Sequence, residues 1–307
     1  MRHAPTGLSD AVTSDIESGR SDTKVSAWSV RGGTIDLTHP IVMGVVNVTP
    51  DSFSDAGHNL DPIVAIKAGT AMVESGAAII DVGGESTRPG SSGIPVAEEL
   101  KRVLPVVEAL AESGIKVSID TSKPVVAQAA LEAGAVVVND VTGLADDEMM
   151  EICAEQGAGV VIMHMLGDPR TMQDNPHYVD VVADVAAFLE MRAGRAIASG
   201  IDASQIVLDP GIGFGKTVDH NLTLLRSIDR LGAGGFPILI GASRKRFLST
   251  ILKPIRGTTT PAQRDNASLA AVAVAVAGGA SVLRVHKVSA AVEVAHVVDA
   301  IVRPRGS

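Results

Sequence analysis

The feature that most constrains the fold of this chain is a unit that recurs eight times. Each unit begins with a short apolar run that ends near a polar residue, and an Ala-rich segment with helical periodicity follows after a loop. The apolar runs are IVMGVVN, AAIIDVGG, KVSID, AVVVND, GVVIMH, QIVLD, PILIGAS and SVLRVH. Eight such units over about 260 residues predict a (β/α)8 barrel with eight parallel inner strands.

A doubly wound open sheet is the rival architecture, because it also alternates strands with helices. Its dinucleotide-binding form carries a GxGxxG fingerprint after the first strand, and no such pattern follows Asn47. We therefore predict one barrel domain over residues 26–304, with a short hairpin at residues 27–37. Residues 1–25 are rich in Ser, Asp and Thr without periodicity, which predicts a disordered tail. Several helical segments finish on glycine, the expected C-cap residue: Gly76, Gly114, Gly134, Gly157 and Gly200.

Composition and charge restrict the partners and the compartment. The 26 basic and 35 acidic residues give a net charge of −9, so a general nucleic-acid surface is not predicted. The single cysteine, Cys153, excludes an internal disulfide and fits a reducing compartment. No run is long enough to span a bilayer, and the first residues lack the apolar region of a signal peptide. A cytoplasmic protein without a membrane partner is the expectation.

Polar residues close several of the predicted strands, where barrel enzymes place their chemistry. Asp120, Asn139 and Asp209 end three central strands, and cations follow in the last two: Lys245, Arg284 and His286. Taken alone, any one of these residues is better explained as the start of an ordinary polar loop. The ordered set, with acceptors in the middle of the barrel and cations at one edge, favours a binding site.

The cationic edge predicts an anionic ligand. Arg284 and His286 are two residues apart, so they face the same side of a strand. Barrel closure places that strand beside the first one, which brings Asn47 close, with Arg88 of the second loop next to it. This combination suits a phosphorylated group together with Mg²⁺, a cation that prefers oxygen ligands.

The central acceptors require a different partner. Buried carboxylates and amides need hydrogen-bond donors, which a heterocycle with amino and ring N–H groups would supply. The alternative is a structural network in which Asp120 and Asp209 pair with Lys245. The segment PGIGFGKT imitates a P-loop, but Pro210 stands where the first glycine is required, so we predict a flexible loop presenting Phe214.

Seven stretches in order carry a resemblance to the dihydropteroate synthase family of the folate pathway. They are GVVNVTPDSFSD, IIDVGGESTRPG, SIDTSKP, VND, LDPGIGFGK, GASRK and RVH, spread over nearly the whole chain apart from its first residues. The resemblance implies a (β/α)8 barrel, usually dimeric. It also implies condensation of 6-hydroxymethyl-7,8-dihydropterin diphosphate with p-aminobenzoate, giving 7,8-dihydropteroate and diphosphate.

The resemblance also implies roles for individual residues. The pterin-binding set would be Asp120, Asn139, Met163, Asp209 and Lys245. The diphosphate-binding set would be Asn47, Thr87, Arg88, Arg284 and His286, with Asn47 as the Mg²⁺ ligand. The p-aminobenzoate-binding set would be Phe53, Thr87, Arg88, Pro89, Phe214, Ser243 and Arg246. The residues expected to take part in catalysis are Asn47, Asp120, Lys245, Arg284 and His286.

Three further expectations follow from the resemblance. The TPDSFSD segment resembles a mobile lid that closes over the diphosphate and the amine. Departure of diphosphate would leave a pterin methylene cation in an SN1-like course, with Asp120 stabilising the cation. Since sulfonamides fill the p-aminobenzoate slot and the Phe214 loop shows no insertion, sulfonamide sensitivity is expected.

Two other functions remain open from the sequence. A methyltetrahydrofolate methyltransferase domain would share the central Asp and Asn residues without needing the diphosphate-binding cations. A catalytically silent paralogue would bind pterin or serve as a structural partner.

Overall fold

The eight predicted inner strands form one parallel sheet that closes into a barrel. A computed structural model describes residues 25–49, 62–86, 93–167 and 171–303. The eight strands are β3 (Ile41–Asn47), β4 (Ile79–Gly83), β5 (Val117–Asp120), β6 (Val137–Asp140), β7 (Gly159–Met163), β8 (Ile206–Asp209), β9 (Leu239–Ile240) and β10 (Val282–Val285). They pair in the order β8-β7-β6-β5-β4-β3-β10-β9. A parallel bridge between Leu208 and Ile238 joins the two outermost strands, so the barrel prediction is confirmed over the open sheet.

Helices surround the barrel and connect successive strands. They are α1 (Pro62–Glu74), α2 (Val96–Glu112), α3 (Pro124–Glu132), α4 (Asp147–Gln156), α5 (Val181–Ala198), α6 (Val218–Arg226), α7 (Ile228–Leu231), α8 (Arg246–Arg256), α9 (Asp265–Ala277) and α10 (Val288–Val302). The five glycines predicted at helix ends all have positive φ, between 61° and 107°, as a left-handed helix terminus requires. Between strands and helices lies one large apolar cluster built mainly from Ala, Val, Ile and Leu.

The predicted hairpin is present and closes the amino-terminal end of the barrel. Strands β1 (Ala27–Val30) and β2 (Gly33–Asp36) pair antiparallel. Trp28 and Leu37 are completely buried against the lowest layer of inward-facing barrel residues. A Cβ atom on Gly159 would lie 2.8 Å from Cγ1 of Val30, so only a glycine lets the hairpin approach β7 this closely. The hairpin is therefore part of the core.

Substitution of Trp28 by Phe should destabilise the protein without affecting its ligand-binding end. The Trp28 indole N–H donates to the carbonyl oxygen of Gln205 at 2.7 Å. Phe removes this donor and part of the buried ring, so we expect the free energy of unfolding to fall by about 2 kcal/mol. Chemical denaturation followed by circular dichroism measures the effect. A change of more than about threefold in kcat/KM would contradict a purely structural role.

Some expectations lie outside the described residues. The predicted tail at residues 1–25 falls there except for Val25, so the division into tail and barrel domain stays a prediction. Within the described ranges, no helix combines the length and the apolar character needed to cross a membrane.

Candidate active site

The predicted polar residues meet at the carboxyl end of the barrel. Asp120 of β5 lies opposite Asn139 of β6, and Met163 of β7 lies opposite Asp209 of β8. The three polar side chains are all buried. Since parallel strands share one orientation and these residues occupy inward-facing positions, the barrel brings them together above its apolar lower layer.

A guanidinium group links two of the carboxylates inside the barrel. Arg284 of β10 donates from Nε to Asp81 Oδ2 at 2.6 Å and from Nη2 to Asp120 Oδ2 at 2.5 Å. The Nδ2 of Asn139 donates to the same Asp81 oxygen at 3.1 Å. Arg284 therefore faces inward, where it contacts Asp120 of the predicted pterin-binding set and Asp81, which is not a member of that set.

Lys245 does not pair with Asp120 and Asp209 in the way that the structural-network alternative required. Its ammonium lies 3.8 Å from the centre of the Phe214 ring, a cation–π contact. Asp209 Oδ1 instead accepts from the backbone N–H of Gly211 at 2.7 Å. Asp120 contacts Arg284. The carboxylates of Asp120 and Asp209 thus lie near the Lys245 ammonium without forming an ion pair with it.

Burial shifts the pKa values of Asp120 and Lys245 toward neutral pH. Burial raises the pKa of Asp120 to about 7, although Arg284 opposes the shift and Asp81 adds to it. Lys245 is partly exposed as a whole residue, but its ammonium lies deep, where burial and then Arg284 lower its pKa to about 7. Burial also raises the pKa of Asp209. A ligand that supplies donors or charge will decide which of these groups are ionised.

The rim residues occupy separate positions around the mouth. Ser243 lies just after β9, and its hydroxyl is 3.0 Å from Nδ1 of His286, whose backbone N–H donates to the same hydroxyl at 3.3 Å. Asn47 ends β3 and is half-buried, whereas Arg246 begins α8 and is exposed. Strand β9 ends at Ile240, earlier than the predicted strand to Ser243, and Arg244 just beyond has a positive φ of 60°.

Four predicted site residues lie outside the described residues: Phe53, Thr87, Arg88 and Pro89. The lid predicted around Phe53 lies there as well. Their roles stay predictions.

The loop after β8 is packed and hydrogen-bonded, so our expectation of a flexible loop presenting Phe214 was wrong. Phe214 is only 8% exposed and packs with Met163, Met172 and Val141. Backbone groups of the loop bond to side chains of Gln173, Tyr178 and Asn221. The glycine pattern that imitates a P-loop serves tight turns, with φ of 67°, 86° and 62° at Gly211, Gly213 and Gly215.

Asp81 and Lys216 are two of several buried charged residues that escaped the sequence analysis. Asp81 could have been identified from the sequence, since a carboxylate between Ile80 and Val82 in a buried strand requires a partner. Lys216 ends the glycine-rich loop and is 3% exposed. Its ammonium donates to Nδ1 of His164 at 2.9 Å and to the carbonyl oxygen of Phe214 at 3.0 Å. Burial lowers the pKa of His164 to about 3, so its ring is neutral and accepts this hydrogen bond.

Substitution of Lys216 by Met should change how stability depends on pH. Burial lowers the pKa of folded Lys216 to about 7, against 10.5 for an ordinary lysine. The unfolded chain therefore binds more protons between these values, and this group makes stability rise with pH across that window. Denaturant unfolding at pH 7 and pH 9.5 should show a smaller rise for the variant. The Met variant should also lose about 2 kcal/mol at the higher pH, because two buried acceptors lose their donor. An unchanged pH slope would contradict the assignment.

Comparison with known proteins agrees with this geometry. The sequence profile of the family described as "Pterin binding enzyme" matches residues 43–286. The dihydropteroate synthase of Escherichia coli strain K12 is 44% identical over 271 residues, which cover 88% of this chain and 94% of the relative.

Solved structures give the same result. The Yersinia pestis dihydropteroate synthase in complex with a sulfonamide drug has a TM-score of 0.84 and 41% identity, covering 90% of this chain and 98% of its own. The Xanthomonas albilineans dihydropteroate synthase with 4-aminobenzoic acid has a TM-score of 0.83 and 43% identity, with the same coverage. The chain therefore belongs to the pterin binding enzyme family, among the dihydropteroate synthases.

Proposed function

We propose that this chain condenses 6-hydroxymethyl-7,8-dihydropterin diphosphate with p-aminobenzoate, releasing diphosphate and forming 7,8-dihydropteroate. The observation that carries the proposal is the joint placement of Asp120, Asn139 and Asp209 with Arg284 and Lys245 at one end of a closed barrel. The buried acceptors match the amino and N–H groups of a pterin ring, and the cations match the diphosphate. Membership of the dihydropteroate synthases supports the same reaction.

The reaction follows from the charges of the site. The pterin ring binds against the central set, with its amino and N–H groups facing Asp120, Asn139 and Asp209. As the bond to diphosphate breaks, positive charge develops on the pterin methylene group, and the ionised Asp120 carboxylate stabilises it. Arg284 and His286 stabilise the negative charge on the departing diphosphate. The arylamine then attacks the methylene carbon and loses a proton, so no covalent enzyme intermediate is required.

The second substrate binds nearer to the rim. Arg246 is exposed at the start of α8, and we propose that it contacts p-aminobenzoate together with Phe53, Thr87, Arg88, Pro89, Phe214 and Ser243. Sulfonamides resemble this substrate in shape and charge, so they compete with it for the same position. Inhibition that increasing p-aminobenzoate fails to relieve would contradict this assignment.

A divalent cation fits the diphosphate end of the site. Asn47 offers one amide oxygen at the end of β3, and the described residues contain no cluster of three or more His, Cys, Asp or Glu that would cage a metal. This arrangement suits Mg²⁺, which takes few protein ligands and completes its shell with phosphate oxygens and water. When bound, Mg²⁺ would neutralise charge on the leaving diphosphate.

Removal of divalent cations is therefore expected to slow the reaction. We expect chelation to lower diphosphate release by at least about tenfold, and added Mg²⁺ to restore it. The Asn47→Ala variant should need a higher Mg²⁺ concentration for half-maximal rate. Full activity in chelator would contradict the proposed cation.

The test of the function is release of diphosphate when both substrates are supplied. With both substrates present, a dihydropteroate synthase releases diphosphate together with an equal amount of 7,8-dihydropteroate, whereas a methyltransferase-type pterin barrel or a silent paralogue releases none. We further propose that the protein is a cytoplasmic homodimer, as is usual in the family. Sedimentation equilibrium would test the dimer, and a monomer at all concentrations would contradict it.

A further inference from the structure

Asp81 is a buried carboxylate whose position is not explained by the stability of the barrel. It is fully buried in the middle of β4. Its Oδ2 accepts two hydrogen bonds, from Arg284 and from Asn139, while its Oδ1 is buried with no hydrogen-bond partner among the described residues. A buried ion pair commonly contributes no more stability than apolar side chains of similar volume would. The arrangement suggests a role in orienting its neighbours.

The two neighbours belong to different halves of the proposed site. Arg284 is assigned to the diphosphate, and Asn139 is assigned to the pterin ring. A guanidinium group is planar, so contacts from Nε to Asp81 and from Nη2 to Asp120 fix its plane and the direction of its remaining N–H groups. The same Asp81 oxygen fixes the amide of Asn139. One oxygen atom thus sets the orientation of one group from each half.

We propose that Asp81 is a positioning residue that orients Arg284 and Asn139 together, so that the pterin ring and its diphosphate are held in mutual register. This inference rests on the proposed function. Asp81 itself lies beneath the groups that meet the substrate and acts through them. Loss of its carboxylate would leave Arg284 with Asp120 as its remaining partner in this set, and the guanidinium would turn toward it.

The charge of Asp81 provides a second, independent readout. The pKa of Asp120 is raised first by burial, lowered by Arg284, and raised further by the negative charge of Asp81. Removing that charge lowers the pKa of Asp120, and a closer Arg284 lowers it further. Both effects have the same sign. The acid limb of the pH profile of kcat/KM should therefore move to lower pH.

The matched experiment compares Asp81→Asn with Asp140→Asn. Asp140 is equally buried, but its carboxylate accepts from Thr142 and Leu144 and orders a loop. For Asp81→Asn we expect kcat/KM for the pterin diphosphate to fall about 10- to 100-fold. The acid limb should move down by about one pH unit, and KM for p-aminobenzoate should change by less than about threefold. Asp140→Asn should lower the melting temperature and leave all three readouts unchanged.

Several results would overturn the proposal. One is an Asp81→Asn enzyme whose kcat/KM and pH profile match those of the wild type. The other is an equal loss of kcat/KM toward both substrates with the acid limb of the pH profile unmoved. If Asp81→Asn does not fold, Asp81→Ser replaces it, and failure of both to fold would show that Asp81 is required for folding instead. The proposed function fails separately, if the wild-type protein releases no diphosphate.

Discussion

Substitution of Asp120 by Asn is expected to lower kcat by about 10²- to 10³-fold while binding of the pterin diphosphate weakens far less. Asn keeps the shape and an acceptor oxygen, so the pterin ring still finds a partner. It removes the negative charge that faces the developing cation, and that charge matters only in the transition state. Steady-state kinetics together with calorimetric titration of the pterin diphosphate separate the two effects.

The pH profile gives a control for this prediction. Because burial raises the pKa of Asp120 to about 7, wild-type kcat/KM should rise as pH increases through neutrality and the carboxylate ionises. In the Asn variant this limb should disappear. A variant that retains most of its kcat, or that retains the limb, would show that Asp120 does not stabilise the cation.

Substitution of Gly211 by Ala is expected to have the largest effect on stability. Gly211 has a φ of 67°, and a Cβ atom there would lie 1.9 Å from the carbonyl oxygen of His164. Two backbone segments cannot both stay in place at that distance. We expect the free energy of unfolding to fall by more than about 4 kcal/mol, and the turn that gives Asp209 its backbone donor to be lost.

Gly157→Ala is the matched control. Gly157 also has positive φ, at 61°, but a Cβ atom there would meet nothing within 4 Å. The Gly157→Ala substitution should therefore lower the free energy of unfolding only by the backbone strain of about 1 kcal/mol. Unfolding curves for both variants decide the matter, and equal losses would show that the close approach to His164 is not what requires glycine at position 211.

The architecture could be predicted from the sequence because periodicity and strand-end residues are local signals. The eight apolar runs correspond to the eight barrel strands, and the hairpin appears where Gly32 and Gly33 predict it. The alternation of side chains along a strand predicted that Arg284 and His286 share one side, and the structure shows that Arg284 faces the barrel interior.

The sequence could not show which groups pair inside the barrel. Arg284 and Asp81 are separated by 203 residues and meet because the barrel closes. The choice of Arg284, and not Lys245, as the partner of Asp120 depends on the reach of each side chain across the lumen. The packed state of the Phe214 loop depends on Gln173, Tyr178 and Asn221, which lie in other segments and carry no motif of their own.

The hairpin beneath the barrel has a consequence for the sequence of events during turnover. Because Trp28 and Leu37 fill the amino-terminal opening, we expect molecules to reach the interior from the opposite face. Asp120, Asn139 and Asp209, which are assigned to the pterin, are buried, whereas Arg246 is exposed. We therefore expect the ring to bind before the arylamine and the product to leave through the same face.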